Sequence, residues 1–396
     1  MRQWKVGSIT LGFTLIFLGI IFLIGTFVDL SLVGRVIKFW PFIFIFLGVE
    51  ILLCQFFSNK AHEKFRITGS SIFMFIILIF ICGGLFITSN VLTFDKDHIR
   101  FNNLRKINYK LTENFNKTYK VQRKNADTVN IKSNIGNIYI DKSQTDTIEI
   151  RAKGTIYGNN KKAMASAIDS LVNIDEGSTI NITTDEMYQE NNGPINTDLY
   201  LYVKIPEKMY AKISNNYGNI DVSNLTKGAK VSSDNGNISI KNITGDLDLK
   251  NSYGATTVNS IKGNVDTTSE NGNVTINDIS GYLNASNSYG DIKLKNVLGK
   301  IDVSATNGKI SLTSSNPLTK GLNLKSEYGA IDVNLPKKQA GNFDLKTEYG
   351  KISNDFGLSV QKDEDSNKQS SNKKIGNSDI PIKISSDNGD IDLRAN

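Results

Sequence analysis

Hydrophobic and polar positions divide the chain into two regimes. Up to residue 94 the apolar residues come in long runs. Beyond it they alternate with polar ones at short period. Residues 6–28 carry no charge; at about 1.5 Å per residue such a helix crosses roughly 30 Å of hydrocarbon. A second run covers 39–57, broken only by Glu50, and a third covers 67–94 without charge. The pattern predicts three transmembrane helices. A cleaved signal peptide fits the first run poorly, because the run is too long and no small-residue cleavage site follows it.

The second regime is a repeat. One glycine recurs behind Tyr or Asn: Tyr217-Gly218, Asn235-Gly236, Tyr253-Gly254, Asn271-Gly272, Tyr289-Gly290 and Asn307-Gly308 are 18 residues apart. Tyr328-Gly329 and Tyr349-Gly350 follow at gaps of 21, and Asn388-Gly389 at 39. Apolar positions keep register with the glycines: Ile220, Ile238, Val274 and Ile292 two residues after, Val222, Ile240, Val258 and Ile276 four after. Alternation at this spacing means short strands with one buried face. A unit of 18 residues cannot bury its own apolar side, so the units stack in register as a parallel β-solenoid. The longer gaps place their extra residues at 316–320 and 336–340, between strands, and the columns resume at Leu322/Leu324 and Phe343/Leu345. The charged Ser/Asn/Lys tract 361–377 reads as a mobile loop. Ile382 and Ile384 resume the columns in a last coil, with Asp390 to Leu393 as its capping strand.

Residues 121–215 are less regular. Ser133 to Ile140 is a first copy of the motif, 147–152, 178–183 and 198–205 read as strands, and 161–172 has helical spacing. Together they should close the N-terminal end of the solenoid. Residues 95–120 read as a juxtamembrane linker, partly helical. The expected organisation is a three-span region over 1–94, that linker, and a β-helix domain over 121–396.

Charge sets the orientation. Arg2, Lys5, Lys60, Lys64 and Arg66 flank one side of the spans, against Arg35 and Lys38 on the other. Short-loop basic residues stay cytoplasmic. The N-terminus is then cytoplasmic and residues 95–396 extracytoplasmic. Beyond residue 94 the balance is 39 basic to 36 acidic residues with signs interspersed, which is no nucleic-acid footprint. The two cysteines, Cys54 and Cys82, lie in apolar runs, so the polar region has no disulfide framework.

Two segments of the chain resemble known families. Phe39-Trp40-Pro41-Phe42-Ile43-Phe44-Ile45-Phe46-Leu47-Gly48-Val49-Glu50, with Gly12 and Gly19 in the first span, resembles the membrane region of Lia-type cell-envelope-stress proteins over residues 5–57. Members of that family often have four spans; this sequence shows three. Tyr200-Leu201-Tyr202-Val203-Lys204-Ile205-Pro206, followed by Asn216-Tyr217-Gly218-Asn219-Ile220-Asp221-Val222, resembles the bacterial family named "putative adhesin", a domain of unknown function, over about 120–396. That resemblance implies a right-handed parallel β-helix at the cell surface or envelope. The handedness comes from the resemblance alone.

Candidate sites are few. Tyr217, Tyr253, Tyr289, Tyr328 and Tyr349 form either an aromatic row that stacks on sugar rings of a wall polymer, or a corner ladder in which Tyr covers the turn and Asn bonds its neighbours. By sequence spacing the first three lie two coils apart, and Tyr328 and Tyr349 fall on adjacent coils. Glu50 is either an intramembrane contact with a partner or a carboxylate paired within the helical bundle. No cofactor or metal is expected: Asp246, Asp266, Asp291 and Asp302 do not all align in one column, and no Cys/His cluster exists. Catalysis is not expected either. His62 and His98 flank the third span, and the acidic residues are scattered along outward positions. Two functions remain: an envelope-binding, adhesin-like module contacting wall polymer or a surface protein, or a membrane regulator of envelope-stress signalling contacting a sensor protein.

Overall fold

Each 18-residue unit folds into two strands joined by a glycine corner, and the two strands enter different sheets. The computed structural model describes residues 109–184, 195–363 and 366–396, the strands at 92–94 and 99–101, and the isolated residues Val49 and Leu52. In the unit at Leu247–Tyr253 and Thr256–Lys262, Leu247 lies beside Val265, Leu249 beside Thr267 and Tyr253 beside Asn271. The offset of 18 in these pairs is the period of the sequence. Among the described residues, successive first strands make up most of a 14-stranded sheet and successive second strands most of a 13-stranded one. Inward positions such as Val231, Leu249, Ile240 and Val258 are buried between them, and the alternate positions face outward.

The corner needs glycine. At Gly254 φ is +128°, and a Cβ would stand 2.2 Å from the Gly236 carbonyl oxygen of the coil before. The same approach recurs in every coil, because carbonyls stack along the axis. A second device escaped the sequence reading. Asn224, Asn242, Ser260, Asp278 and Asn296 sit at φ of 54–60°. This left-handed residue puts two successive side chains outward in the second strand, Lys241 and Asn242, and turns Ile243 back into the core. Short Asn and Asp side chains tolerate that conformation. They also bond along the column, as Asn242 Nδ2 does to Asn224 Oδ1 at 3.2 Å.

Chain order and stacking order part company at both ends. The coil Thr128–Ile135/Asn137–Lys142 stacks between Tyr210–Tyr217/Ile220–Ser223 and the later-coming Thr179–Thr184/Asn196–Ile205. Beyond that, Thr147–Gly158 and Leu111–Gln122 add antiparallel to the second sheet. At the other end Pro381–Ser386 inserts between Leu322–Ser326 and Gly341–Thr347. Ile391–Ala395 likewise inserts between Ile331–Leu335 and Ile352–Asn354. The last coil in sequence is therefore internal and not the end cap expected of it.

The cap comes from the tract expected to be a mobile loop. Gln361–Lys362 and Gln369–Ile375 are strands, and the latter runs antiparallel to Gly341–Thr347. A terminal parallel strand would otherwise leave its backbone groups unpaired at an edge, and the charged hairpin fills and shields it. The expected linker departs too. Leu111–Gln122 is a 12-residue strand whose Phe115 and Val121 are buried, a period-two signal hidden among charges. The strand Ile99–Phe101 pairs antiparallel with Leu92–Phe94. The helix of 161–172 is shorter, Lys161–Asp169, capped by Asn160 Oδ1 on the amides of Lys162 and Ala163. β-Branched Val172 already belongs to a strand paired with Thr184.

Of the three expected spans, only Val49 and Leu52 in the second, both helical, and Leu92–Phe94 at the end of the third, a strand, are among the described residues. Among the described residues no helix is long and apolar enough to cross a membrane.

Candidate functional site

The tyrosines of the repeat lie in one column at the corner that joins the two sheets. Ile135, Tyr217, Asn235, Tyr253, Asn271, Tyr289 and Asn307 are successive partners across the first sheet. The column continues through the turn amides: Tyr328 N bonds Thr306 O, Asn388 N bonds Glu327 O and Tyr349 N bonds Asp387 O, each at 2.9 Å. Tyr328 and Tyr349 are thus not on adjacent coils. The inserted C-terminal coil puts Asn388 between them, and Tyr alternates with Asn from Tyr217 to Tyr349. At about 4.8 Å per coil the rings recur every 9.6 Å or so.

The corner does not depend on these rings. Two residues before each of the first three tyrosines, a buried asparagine clamps the turn. Asn251 Nδ2 donates to the carbonyls of Gly254 at 3.0 Å and Gly236 at 3.2 Å, and to Thr256 Oγ1 at 3.2 Å. Asn215 and Asn287 repeat the clamp. In the later coils Ser326, Thr347 and Ser386 take the place, their hydroxyls accepting from Gly329, Gly350 and Gly389 N. One residue past the glycine a second ladder ties coil to coil: Asn237 N donates to Asn219 Oδ1 and Ala255 N to Asn237 Oδ1. The five tyrosines themselves are 55–65% exposed, and among the described residues their hydroxyls make no hydrogen bond. The asparagines expected to bond across the corner are not Asn235, Asn271 and Asn307 of the tyrosine column but the buried Asn215, Asn251 and Asn287. The recurring Asn-x-Tyr-Gly string was the signal for them.

A second aromatic surface was missed from sequence. On the outer face of the second sheet Tyr139 and Tyr202 stack with ring centroids 4.8 Å apart and planes at 14°. Tyr200 lies on the same strand as Tyr202, two residues away. Shallow hollows of about 370 and 410 Å³ adjoin them, lined by Arg151, Lys153 and Glu149 among others. Partial burial, then the neighbouring tyrosines and Asp221, push the Tyr139 phenol above its ordinary value. The alternation Tyr200-Leu201-Tyr202 in a strand with one buried face would have revealed it. Glu50 lies outside the described residues. Among those described, no group of three His, Cys, Asp or Glu side chains is placed to hold a metal ion.

The architecture is that of a two-sheet parallel β-solenoid presenting regular side-chain columns. The chain belongs to the toastrack family: the family model described as "Toastrack DUF4097" matches residues 129–394. Residues 10–95 match the LiaF transmembrane domain, which agrees with a Lia-type membrane region ahead of the solenoid. No curated protein matches the chain. Similar solved structures include a "putative cell adhesion protein" from Clostridium sporogenes, at 13% identity and TM-score 0.22, covering 72% of this chain and 100% of that one. A "putative adhesin" from Bacteroides fragilis aligns at 14% identity and TM-score 0.28, covering 71% and 97%. Another from Parabacteroides merdae aligns at 12% and 0.29, covering 70% and 95%.

Proposed function

We propose that the protein is a membrane-anchored, non-catalytic binding module of the cell envelope, whose solenoid contacts envelope polymer through the tyrosine column. The membrane anchor is the three-span region, with the N-terminus cytoplasmic and the solenoid outside. The observation that carries the reading is the column itself. Five exposed tyrosines lie in one row, and the turn they decorate is held by other residues. Large exposed aromatics serve recognition more often than folding when the fold does not use them. The test is co-sedimentation of the full-length protein, in nanodiscs, with isolated cell-wall sacculi. Binding that is lost when all five tyrosines become Ala supports the reading. Equal binding by wild type and variant, or none by either, sinks it.

The match of residues 10–95 to the LiaF transmembrane domain favours a second reading. In it the spans, with Glu50 as an intramembrane contact, regulate a membrane sensor of envelope stress. Transcript profiling of a deletion strain separates the two. If an envelope-stress regulon changes and only the native spans rescue it, the spans signal. If a foreign anchor rescues equally, the regulatory reading fails.

A further inference from the structure

We infer that the tyrosine column binds an extended, uncharged β-1,4-linked glycan laid parallel to the solenoid axis, each ring stacking on every second sugar. The inference rests on the envelope-binding reading and names its ligand.

Three observations carry it. The first is the period. Tyr alternates strictly with Asn along the column, so the aromatic repeat is two coils, about 9.6 Å. In an extended β-1,4 chain successive sugars are flipped, and the chemical repeat is a disaccharide of about that length. Only alternate sugars turn the same C–H face to one side, which is the face an aromatic ring accepts. The alternation survives a break in the sequence. The 21-residue spacing of Tyr328 and Tyr349 would place them on adjacent coils, and the inserted coil that carries Asn388 keeps them apart. Five rings then span about 38 Å, four disaccharide steps.

The second observation is what lies between and beside the rings. Asn235 and Asn307 are exposed, and their side chains, with that of Asn271, make no hydrogen bond among the described residues. They stand where the flipped sugars turn their hydroxyls. On the far side of the glycine, Asn219 and Asn237 give their Oδ1 to the ladder, and their Nδ2 groups are without a partner among the described residues. Amide donors and acceptors of this kind suit hydroxyls and acetamido groups.

The third is charge. The position just before the column residue holds Asp234, Glu270, Glu327, Glu348 and Asp387. Glu348 is paired with Lys368 at 3.2 Å; a polyanionic wall polymer laid along the row would meet the other four carboxylates, so an uncharged chain is the better fit.

The test titrates full-length protein in nanodiscs with chito-oligosaccharides of two to eight sugars, by calorimetry, beside the sacculus co-sedimentation. Polyglycerol phosphate is the anionic comparison. Affinity should rise with each added disaccharide as further rings engage, and polyglycerol phosphate should not bind. The decisive variant exchanges Tyr253→Asn and Asn271→Tyr together. It keeps five tyrosines, uses residues the column already holds, and breaks only the period. It should weaken the longest oligosaccharide about two- to tenfold, as one lost ring stack would. Affinity flat with length, or an exchange variant that binds like wild type, overturns the inference. If sacculi sediment in a tyrosine-dependent way and no oligosaccharide binds, the glycan inference falls while the envelope-binding reading stands. If sacculi do not bind either, both fall.

Discussion

Asn251→Ala isolates the corner clamp from the tyrosine beside it. The side chain is 1% exposed, and its Nδ2 serves two carbonyls and a hydroxyl at 3.0–3.2 Å. Truncation removes these bonds and leaves buried acceptors behind. At about 1 kcal/mol net per bond, the loss is about 2–3 kcal/mol. A solenoid opens coil by coil, so the loss is local and a global melting curve would dilute it. Hydrogen exchange of the full-length protein in detergent, read by mass spectrometry, resolves it. Peptides covering the Gly236 and Gly254 corners should exchange roughly 30- to 150-fold faster, and the coil at Leu322–Leu335 should not change. Asn251→Ser should fall between, because Ser233 and Ser269 already occupy this column in the coils on either side. Tyr253→Ala should leave exchange at both corners as it was. If Tyr253→Ala loosens the corner as much as Asn251→Ala, the ring is structural and the reasoning behind the binding surface is refuted.

Gly254→Ala should be far worse than either, costing about 3 kcal/mol or more, since its Cβ meets a backbone carbonyl at 2.2 Å with φ at +128°; yield of folded protein and protease resistance report it. Deleting residues 381–396 should strip protection from 341–375 as well as from Leu322–Leu335, because the removed strands lie between them, while the coils from Tyr210 to Ile279 keep theirs in the same exchange measurement. The Tyr282 phenol donates to Asp266 Oδ2 at 2.8 Å, and that bond, with the carboxylate's charge, raises its pKa above the ordinary value. A raised pKa favours the folded state only while the phenol is protonated, so the contribution is present below the ordinary phenol range and is lost as pH rises through the raised value. Ultraviolet titration should show one tyrosine shifting down in Asp266→Asn; an unchanged curve would mean the bond does not form in solution.

Much of the fold was legible because a solenoid is a local code. Each coil repeats the same demands: apolar residues at alternate positions, glycine where the carbonyl of the coil below leaves no room for a Cβ, and a polar residue beside it. Leu249, Val258 and Gly254 could therefore be placed from the spacing alone. The tyrosines could be placed in a column for the same reason. The left-handed residue at Asn242 was not read, because Asn and Asp are common in any loop and the backbone strain that selects them leaves no period in hydrophobicity. The strands at Leu111–Gln122 and Gln369–Ile375 were not read either. Leu111–Gln122 is an edge strand and Gln369–Ile375 is covered on its outer side only by the two-residue Gln361–Lys362, and a strand at a sheet margin under selection for charge loses the alternation that marks a buried one.

Sequence by itself determined the repeat, its strands, its corners and the set of residues that share each column. It could not determine the order in which coils stack. Parallel pairing depends on register within a coil and on matching shape between coils, and neither requires neighbours in space to be neighbours in sequence. The coils at Thr128–Lys142 and Pro381–Ala395 both stack out of chain order. Only the tertiary structure decided that Asn388 stands between Tyr328 and Tyr349. The even spacing of the aromatic column follows from that placement, because spacing along the axis counts coils and not residues.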